Sequence, residues 1–321
     1  MQLINFRRKA SLKNILVIGS LNTDLTIHTP IMPRLGETLV GSGFAAAAGG
    51  KGANQAAAAA KLGGKVRMLG AVGCDDNGRM LLSTLGETGV DCSHIMNSEA
   101  PTGTAVITVV NGDNFIIIDH GANFSITPED LTSTAGCGLL EWADIVLMQL
   151  EIPMETVRAA AALAKENGAL VVLNPAPMDT ALGADILQNV DLLIPNEHEA
   201  ALLLGYELCD SASEEAAAKE LFSRFGCDVI VTLGERGSFY CGKAGSHRQA
   251  AFRVKVVDTT AAGDSFIGGL CTAVAGGMPM VEAMRFASAV SACAVSKPGA
   301  ISSIPNRNEV EKLLSESEAV C

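Results

Sequence analysis

Residues 145–173 read IVLMQLEIPMETVRAAAALAKENGALVVL, and this stretch decides the fold. Two apolar runs, Ile145–Leu150 and Leu170–Leu173, flank an alanine-rich, helix-like segment. Their near-continuous apolarity, in place of alternation, describes strands covered on both faces. Parallel neighbours need a crossover of a dozen or more residues between them, which the helical segment supplies. The same rhythm extends outward in both directions, with short runs at Ile15–Ile18, Val66–Val72, Leu192–Ile194 and Val229–Leu233. Each ends in polar or glycine residues and leads into a helix-like stretch. The expected fold is α/β, a doubly wound, mostly parallel central sheet flanked by helices.

Two segments break the rhythm. Leu25–Phe44 and Thr104–Ile118 read as antiparallel strands, and Asn111-Gly112 inside the second is a hairpin signal. The domain reading follows: residues 12–22, 49–100 and 120–321 form the α/β core, 23–48 and 101–119 form a small projecting β-sheet placed to act as a lid, and 1–11 are a basic N-terminal extension.

Composition narrows the function classes. The 321 residues are 48% hydrophobic and 4% aromatic, with 33 glycines, which suits many tight strand-to-helix turns. A formal net charge of −12 argues against nucleic acid or anionic membrane as a partner, because both need clustered Lys and Arg. The nine cysteines show no C-x-x-C pair and no metal-ligand spacing, which reads as free thiols in a reducing compartment. No apolar run approaches the roughly 20 residues of a transmembrane helix. A cytoplasmic location is expected.

The chemistry-bearing stretch is Val256-Val-Asp-Thr-Thr-Ala-Ala-Gly-Asp-Ser-Phe-Ile-Gly-Gly-Leu270. Small residues Ala261, Ala262 and Gly263 let the backbone approach a ligand, and the following helix aims its unpaired N–H groups at the same point. Asp264 at its edge could take a proton from an attacking alcohol while the amides stabilise a phosphoryl group in flight, or it could be a plain helix cap. Gly49-Gly-Lys-Gly-Ala-Asn-Gln55 is not a Walker loop, since Gly52 stands where Ser or Thr would hold magnesium. Its glycines would bring amides against a small polar ligand, with Lys51 and Asn54 on one side. Gly41-Ser-Gly43 only imitates a dinucleotide fingerprint, because it does not open a first βα turn. Asn22, Asp24, Glu151, Asn196, Glu199 and the Thr232–Gly237 turn all follow apolar runs, where α/β proteins place ligands, although each taken singly could equally be a cap or turn residue.

Seven motifs together carry a family resemblance: Asn22-Thr-Asp24, Gly49–Gln55, Met148-Gln-Leu-Glu151, Asn174-Pro-Ala-Pro177, Pro195-Asn-Glu-His-Glu199, Thr232-Leu-Gly and Asp258-Thr-Thr-Ala-Ala-Gly-Asp264. Over about Ile15 to Pro305 the chain resembles the ribokinases of the PfkB group of carbohydrate kinases. The resemblance implies ATP-dependent phosphorylation of D-ribose at its 5-hydroxyl, with Asp264 as general base and the amides of Ala261, Ala262 and Gly263 as the anion hole. It implies that Asn22, Asp24, Gly50, Lys51, Asn54 and Glu151 hold the sugar. Asn196, Thr232, Gly234, Glu235, Gly237, Gly263 and Ser288 would hold ATP, with Glu199 helping to place Mg²⁺. A monovalent cation, usually K⁺, would be bound at Asp258, Thr260, Ala294, Lys297, Gly299 and Ser303. Three departures stand out: Ala261 occupies a position where much of the wider family, though not the ribokinases, has Gly; Ser288 one where a His often lies near adenine; and Lys297-Pro298 falls in the cation loop.

The lid segments select among substrates. Arg34 is the only Lys or Arg between Thr23 and Ala48, and there is none between Pro101 and Asp119, so a substrate phosphate would find little to neutralise it. Phe44 and Phe115 are their only aromatics, few for stacking a nucleoside base. A free sugar is expected, with ribose ahead of 2-deoxyribose or fructose; a sugar-binding regulator without catalysis is the reading from another class. The resemblance further implies a homodimer through the lid, which would cover apolar residues such as Ile107, Val109 and Ile117.

Overall fold

The computed structural model describes residues 12–110, 113–179 and 181–318. The N-terminal extension and the Asn111-Gly112 turn lie outside them. In chain order the strands are β1 (Asn14–Ile18), β2 (Asn22–Thr29), β3 (Ser42–Gly49), β4 (Lys65–Gly73), β5 (Ile95–Ser98), β6 (Gly103–Val110), β7 (Asp113–Asp119), β8 (Ile145–Met148), β9 (Leu170–Leu173), β10 (Leu192–Leu193), β11 (Asp228–Thr232), β12 (Ser238–Gly242) and β13 (Gly245–Gln249).

Nine strands form the main sheet in the order β13-β12-β11-β10-β9-β8-β1-β4-β5. Pairing is parallel from β11 through to β5, and β12 and β13 add an antiparallel edge. Side chains leave a strand alternately to its two faces, and the core divides accordingly. Ile15 and Val17 join one buried cluster with the alanine-rich helix Lys51–Lys61 and the helices Ala262–Ala275 and Met280–Val295. Leu16 and Ile18 join the other, with the helices Met154–Glu166 and Ser211–Phe225.

From β1 the chain first builds toward β4 and β5, then returns to place β8 on the opposite side of β1. The gap between β1 and β8 is therefore a topological switch point, where crevices open beyond the carboxyl ends of strands. Close packing brings two helices to this crevice: a Cβ on Gly268 would lie 2.5 Å from Ala58 Cβ and 2.6 Å from the Gln55 carbonyl oxygen. Glycine at 268 lets helix Ala262–Ala275 lie against helix Lys51–Lys61, which brings Asp264 to Asn54 and Gln55.

The second sheet has the order β3-β2-β6-β7. Each hairpin is antiparallel, as the sequence suggests, but the two join through parallel β2 and β6. Leu25, Val106 and Ile117 are aligned across three strands on one face, while Ile107 aligns with Ile116 on the other. Ile107 and Ile117 therefore do not share a face. Val106, Phe115, Ile116 and Ile117 are exposed, as is every residue of β3 from Ser42 to Ala47.

Candidate active site

The crevice is built from the ends of three adjacent strands and the starts of two helices. After β1 the chain runs through Ser20, Leu21 and Asn22 into the second sheet. Ser20 Oγ donates to Glu151 Oε2 at 2.5 Å, joining the exits of β1 and β8 across the switch point. The same oxygen accepts the Lys51 amide at 3.1 Å. Asn22 is buried, and its Oδ1 accepts from Asn123 Nδ2 at 2.7 Å; Asn123 also bonds both backbone groups of Leu21.

The glycine-rich entry to helix Lys51–Lys61 packs closely against the exit of β1. Gly50 has φ 92°, and a Cβ there would stand 2.7 Å from the Asn22 amide nitrogen. Gly52 donates its amide to Ser20 Oγ at 3.3 Å. These glycines seat the helix against residues 19–22, where a side chain would meet the backbone. The helix then presents Lys51 and Asn54 to the crevice.

Asp264 receives one N–H on each carboxylate oxygen: Asn54 Nδ2 to Oδ2 at 2.9 Å and Gln55 Nε2 to Oδ1 at 2.9 Å. Asn54 Oδ1 is buried without a partner in the described residues. Asp264 is the third residue of its helix, whose N-cap is Ala261 and which has no side-chain cap. The cap alternative is thus set aside: the carboxylate faces Asn54 and Gln55 of a different helix. Ala261 has φ 56°, the one non-glycine with positive φ among the described residues. That conformation costs a residue bearing Cβ about 1–2 kcal/mol and concentrates at functional sites. The Ala262 amide reaches the Thr259 carbonyl at 3.2 Å, whereas the amides of Ala261 and Gly263 find no acceptor among the described residues. Two open N–H groups and the positive end of a helix suit an anion.

Charge around the crevice is uneven. Burial first, then Glu151 and Asp264, push the Asp24 carboxyl up to about 7. Burial pulls the Lys51 ammonium down, but Asp264, Glu151 and Glu199 outweigh it and hold it above its ordinary value. Glu199 is raised chiefly by burial, against the Asn196 backbone bond and Lys51. Lys51 is thus the cation among four carboxylates.

Asn196 and the Thr232–Gly237 turn, expected to hold a nucleotide, lie at the ends of β10 and β11, where Asn196 pairs with Thr232, and several of these residues also serve the fold. Asn196 and Glu199 form a reciprocal capping box on helix Glu197–Leu204, in which Asn196 N and Nδ2 both donate to the Glu199 carboxylate. Thr232 donates its amide to Pro195 O at 2.9 Å, and Gly234 and Gly237 adopt positive φ in the turn. Glu235 is exposed in this turn, and Ser288 is buried on helix Met280–Val295. Sequence reasoning missed Arg236, which pairs with Glu197 and Glu214 and straps the turn to two helices.

The loop that carries Asp258 and Thr260, where a monovalent cation is expected, is tied by hydrogen bonds to Val295 and Gly299. Asp258 Oδ1 accepts from the amide and hydroxyl of Thr260, and Oδ2 accepts the Gly299 amide at 2.8 Å. Burial acts against these bonds, yet they hold the Asp258 carboxyl below its ordinary value. The Val257 amide donates to Val295 O at 2.7 Å, joining the loop to the 294–297 segment, and Ser303 Oγ donates to Ala300 O at 2.8 Å. Lys297 Nζ turns away to Glu309, so only its carbonyl could serve a cation.

Residues 12–307 match the model of the pfkB family carbohydrate kinases. A ribokinase from Haemophilus influenzae is 40% identical over 304 residues, 94% of this chain and 98% of that protein. A deoxyribokinase from Salmonella typhi is 36% identical over 307 residues, 95% of this chain and all of that protein. The ribokinase of Arabidopsis thaliana, solved in complex with ribose and ATP, superimposes with a TM-score of 0.88 at 35% identity, covering 94% of this chain and 98% of that one.

Proposed function

The chain belongs to the pfkB family of carbohydrate kinases, and on that footing we propose that it transfers the terminal phosphoryl group of ATP to the 5-hydroxyl of D-ribose. The observation that carries this reading is the meeting of an oriented carboxylate, Asp264, with an uncapped helix start and a ring of sugar-compatible polar groups at one switch point. Asp24 and the unpartnered Asn54 Oδ1 accept from sugar hydroxyls, Lys51 donates, and Asn22, Gly50 and Glu151 complete the sugar pocket. Asp264 takes the proton of the 5-hydroxyl as the new O–P bond forms and the bond from the terminal phosphorus to ADP breaks. The open amides of Ala261 and Gly263, with that of Ala262 if its long bond to Thr259 yields, receive charge on the phosphoryl oxygens. The Thr232–Gly237 turn, Asn196 and Ser288 line the ATP side.

Mg²⁺ neutralises phosphate charge when bound. Among the described residues no three His, Cys, Asp or Glu side chains cluster as metal ligands, so the metal would rest mainly on the phosphates and water, with Glu199 nearby. The Asp258 carboxylate and the carbonyls about Ala294, Lys297 and Gly299, with Ser303 beside them, fit a large monovalent cation such as K⁺, whose charge would steady the loop that ends in Ala261. The second sheet acts as a lid over the sugar and, through its exposed apolar face at Val106 and Ile117, as a homodimer contact. Seven free thiols among the described residues fit a cytoplasmic enzyme.

The deoxyribokinase relative keeps 2-deoxyribose as the specific competitor. A coupled ADP-release assay across free pentoses, hexoses and nucleosides, with and without K⁺, decides. The expected result is the highest kcat/KM for ribose and activation by K⁺; an equal or higher value for 2-deoxyribose or fructose would overturn the ribose assignment.

A further inference from the structure

Gln55 touches Asp264 yet has no part in the mechanism just described. It is fully buried and lies in a chain of side-chain amides. Gln55 Nε2 donates to Asp264 Oδ1 at 2.9 Å and to Asn174 Oδ1 at 3.1 Å. Its Oε1 accepts from Gln149 Nε2 at 2.6 Å, and Asn174 Nδ2 donates to the Ile194 carbonyl at 3.0 Å. Amide oxygen and nitrogen are alike in shape, so the direction of each group follows from its partners. A carboxylate and a carbonyl only accept. Asn174 must turn its NH₂ to Ile194 and its oxygen to Gln55, and Gln55 must turn its NH₂ to both Asn174 and Asp264. Its oxygen is then left for Gln149. A flipped Gln55 would set oxygen against two acceptors and nitrogen against a donor. The chain thus has one satisfied direction, fixed from both ends; its one unpartnered atom is Gln149 Oε1, two links from Asp264.

We propose that Gln55 is a positioning residue for the general base, locked by Gln149 and Asn174 so that the Asp264 carboxylate is held for the sugar hydroxyl. The terminal torsion of an aspartate is soft. Asn54 restrains one oxygen, but it faces the sugar and answers to the ligand as well. Gln55, sealed from the crevice, restrains the other oxygen independently of what is bound. Because Gln149, Asn174 and Ile194 follow β8, β9 and β10, the base is registered to three adjacent strand ends.

The proposal rests on the kinase reading, and the test keeps the two apart. Wild type, Gln55→Met and Gln149→Met are compared for kcat, KM, ribose affinity by calorimetry and thermal unfolding. Gln55→Met keeps length and loses both donated bonds; kcat is expected to fall about tenfold or more with ribose affinity within about twofold. Gln149→Met leaves the bond to Asp264 in place but removes one lock, and a smaller fall of about threefold in kcat is expected. Unchanged kcat in folded Gln55→Met, or ribose affinity lost in parallel with kcat, overturns the positioning role. Should Gln55→Met fail to fold, unchanged kcat in Gln149→Met overturns the lock. Absence of ADP release from wild type would instead defeat the kinase reading.

Discussion

Asp264→Asn is the substitution in which structure and chemistry separate most cleanly. An amide at this position offers one acceptor and one donor in place of two acceptors, so one of the bonds from Asn54 and Gln55 must reverse. Gln55 is held by Asn174 and Gln149. Asn54 is free to turn, because its Oδ1 has no partner; turned, it accepts from the new amide and the number of bonds is kept. Stability should change by less than about 1 kcal/mol. Asp264→Ala would strand two buried N–H donors at about 1–3 kcal/mol each and confound folding with chemistry. With the fold preserved, loss of the base should lower kcat about 10²–10⁴-fold, or about 3–5 kcal/mol of transition-state stabilisation. Because Asn54 has turned, KM for ribose should shift a few-fold. Coupled ADP release, ribose calorimetry and thermal unfolding on one preparation measure all three. A folded Asp264→Asn protein with kcat within about tenfold of wild type would refute general-base catalysis by this residue.

The Asp24 carboxyl, raised from 3.8 to about 7, keeps a proton in the folded chain across a range where the unfolded chain has lost it. Stability should therefore fall as pH rises from about 4 to about 7, by at most about 4 kcal/mol, and Asp24→Asn should flatten that slope in denaturant titrations. KM for ribose should rise as pH drops through about 7 in wild type but not in Asp24→Asn. Gly50→Ala meets both positive φ and a backbone contact of 2.7 Å, whereas Gly63→Ala, at the same φ of 92°, meets nothing within 4 Å. The first should cost at least about 1 kcal/mol more than the second in thermal unfolding. Asn123→Leu breaks three buried bonds around Leu21 and Asn22, so ribose KM should rise about tenfold with kcat changed less, a split read from steady-state kinetics.

The main sheet was legible because burial on both faces leaves a direct trace: the runs at Ile15–Ile18 and Ile145–Met148 alternate between two apolar cores. The antiparallel edge β12–β13 was not, since Gly245–Gln249 is short, polar and half-exposed. Asp264, Asn54 and Glu151 could be read from motifs. Gln55, Gln149 and Asn174 stood inside the same motifs, but nothing local assigns a partner 94 to 209 residues away. Asn123 and Ser20 were missed for the same reason. Asn196-Glu-His-Glu199 carried its cap in plain spelling, an N-cap amide with Glu three residues later. The structure uses it so, and any nucleotide or Mg²⁺ contact is made by groups already serving the helix.

Phosphorus NMR of the product formed from ribose and Mg-ATP tests the central claim most directly. Transfer to the 5-hydroxyl yields a phosphomonoester resonance split by the two protons of one CH₂ group, formed with stoichiometric ADP and abolished in Asp264→Asn. A resonance split by a single proton, as from a phosphate on a ring carbon, or the same product made undiminished by Asp264→Asn, would contradict it.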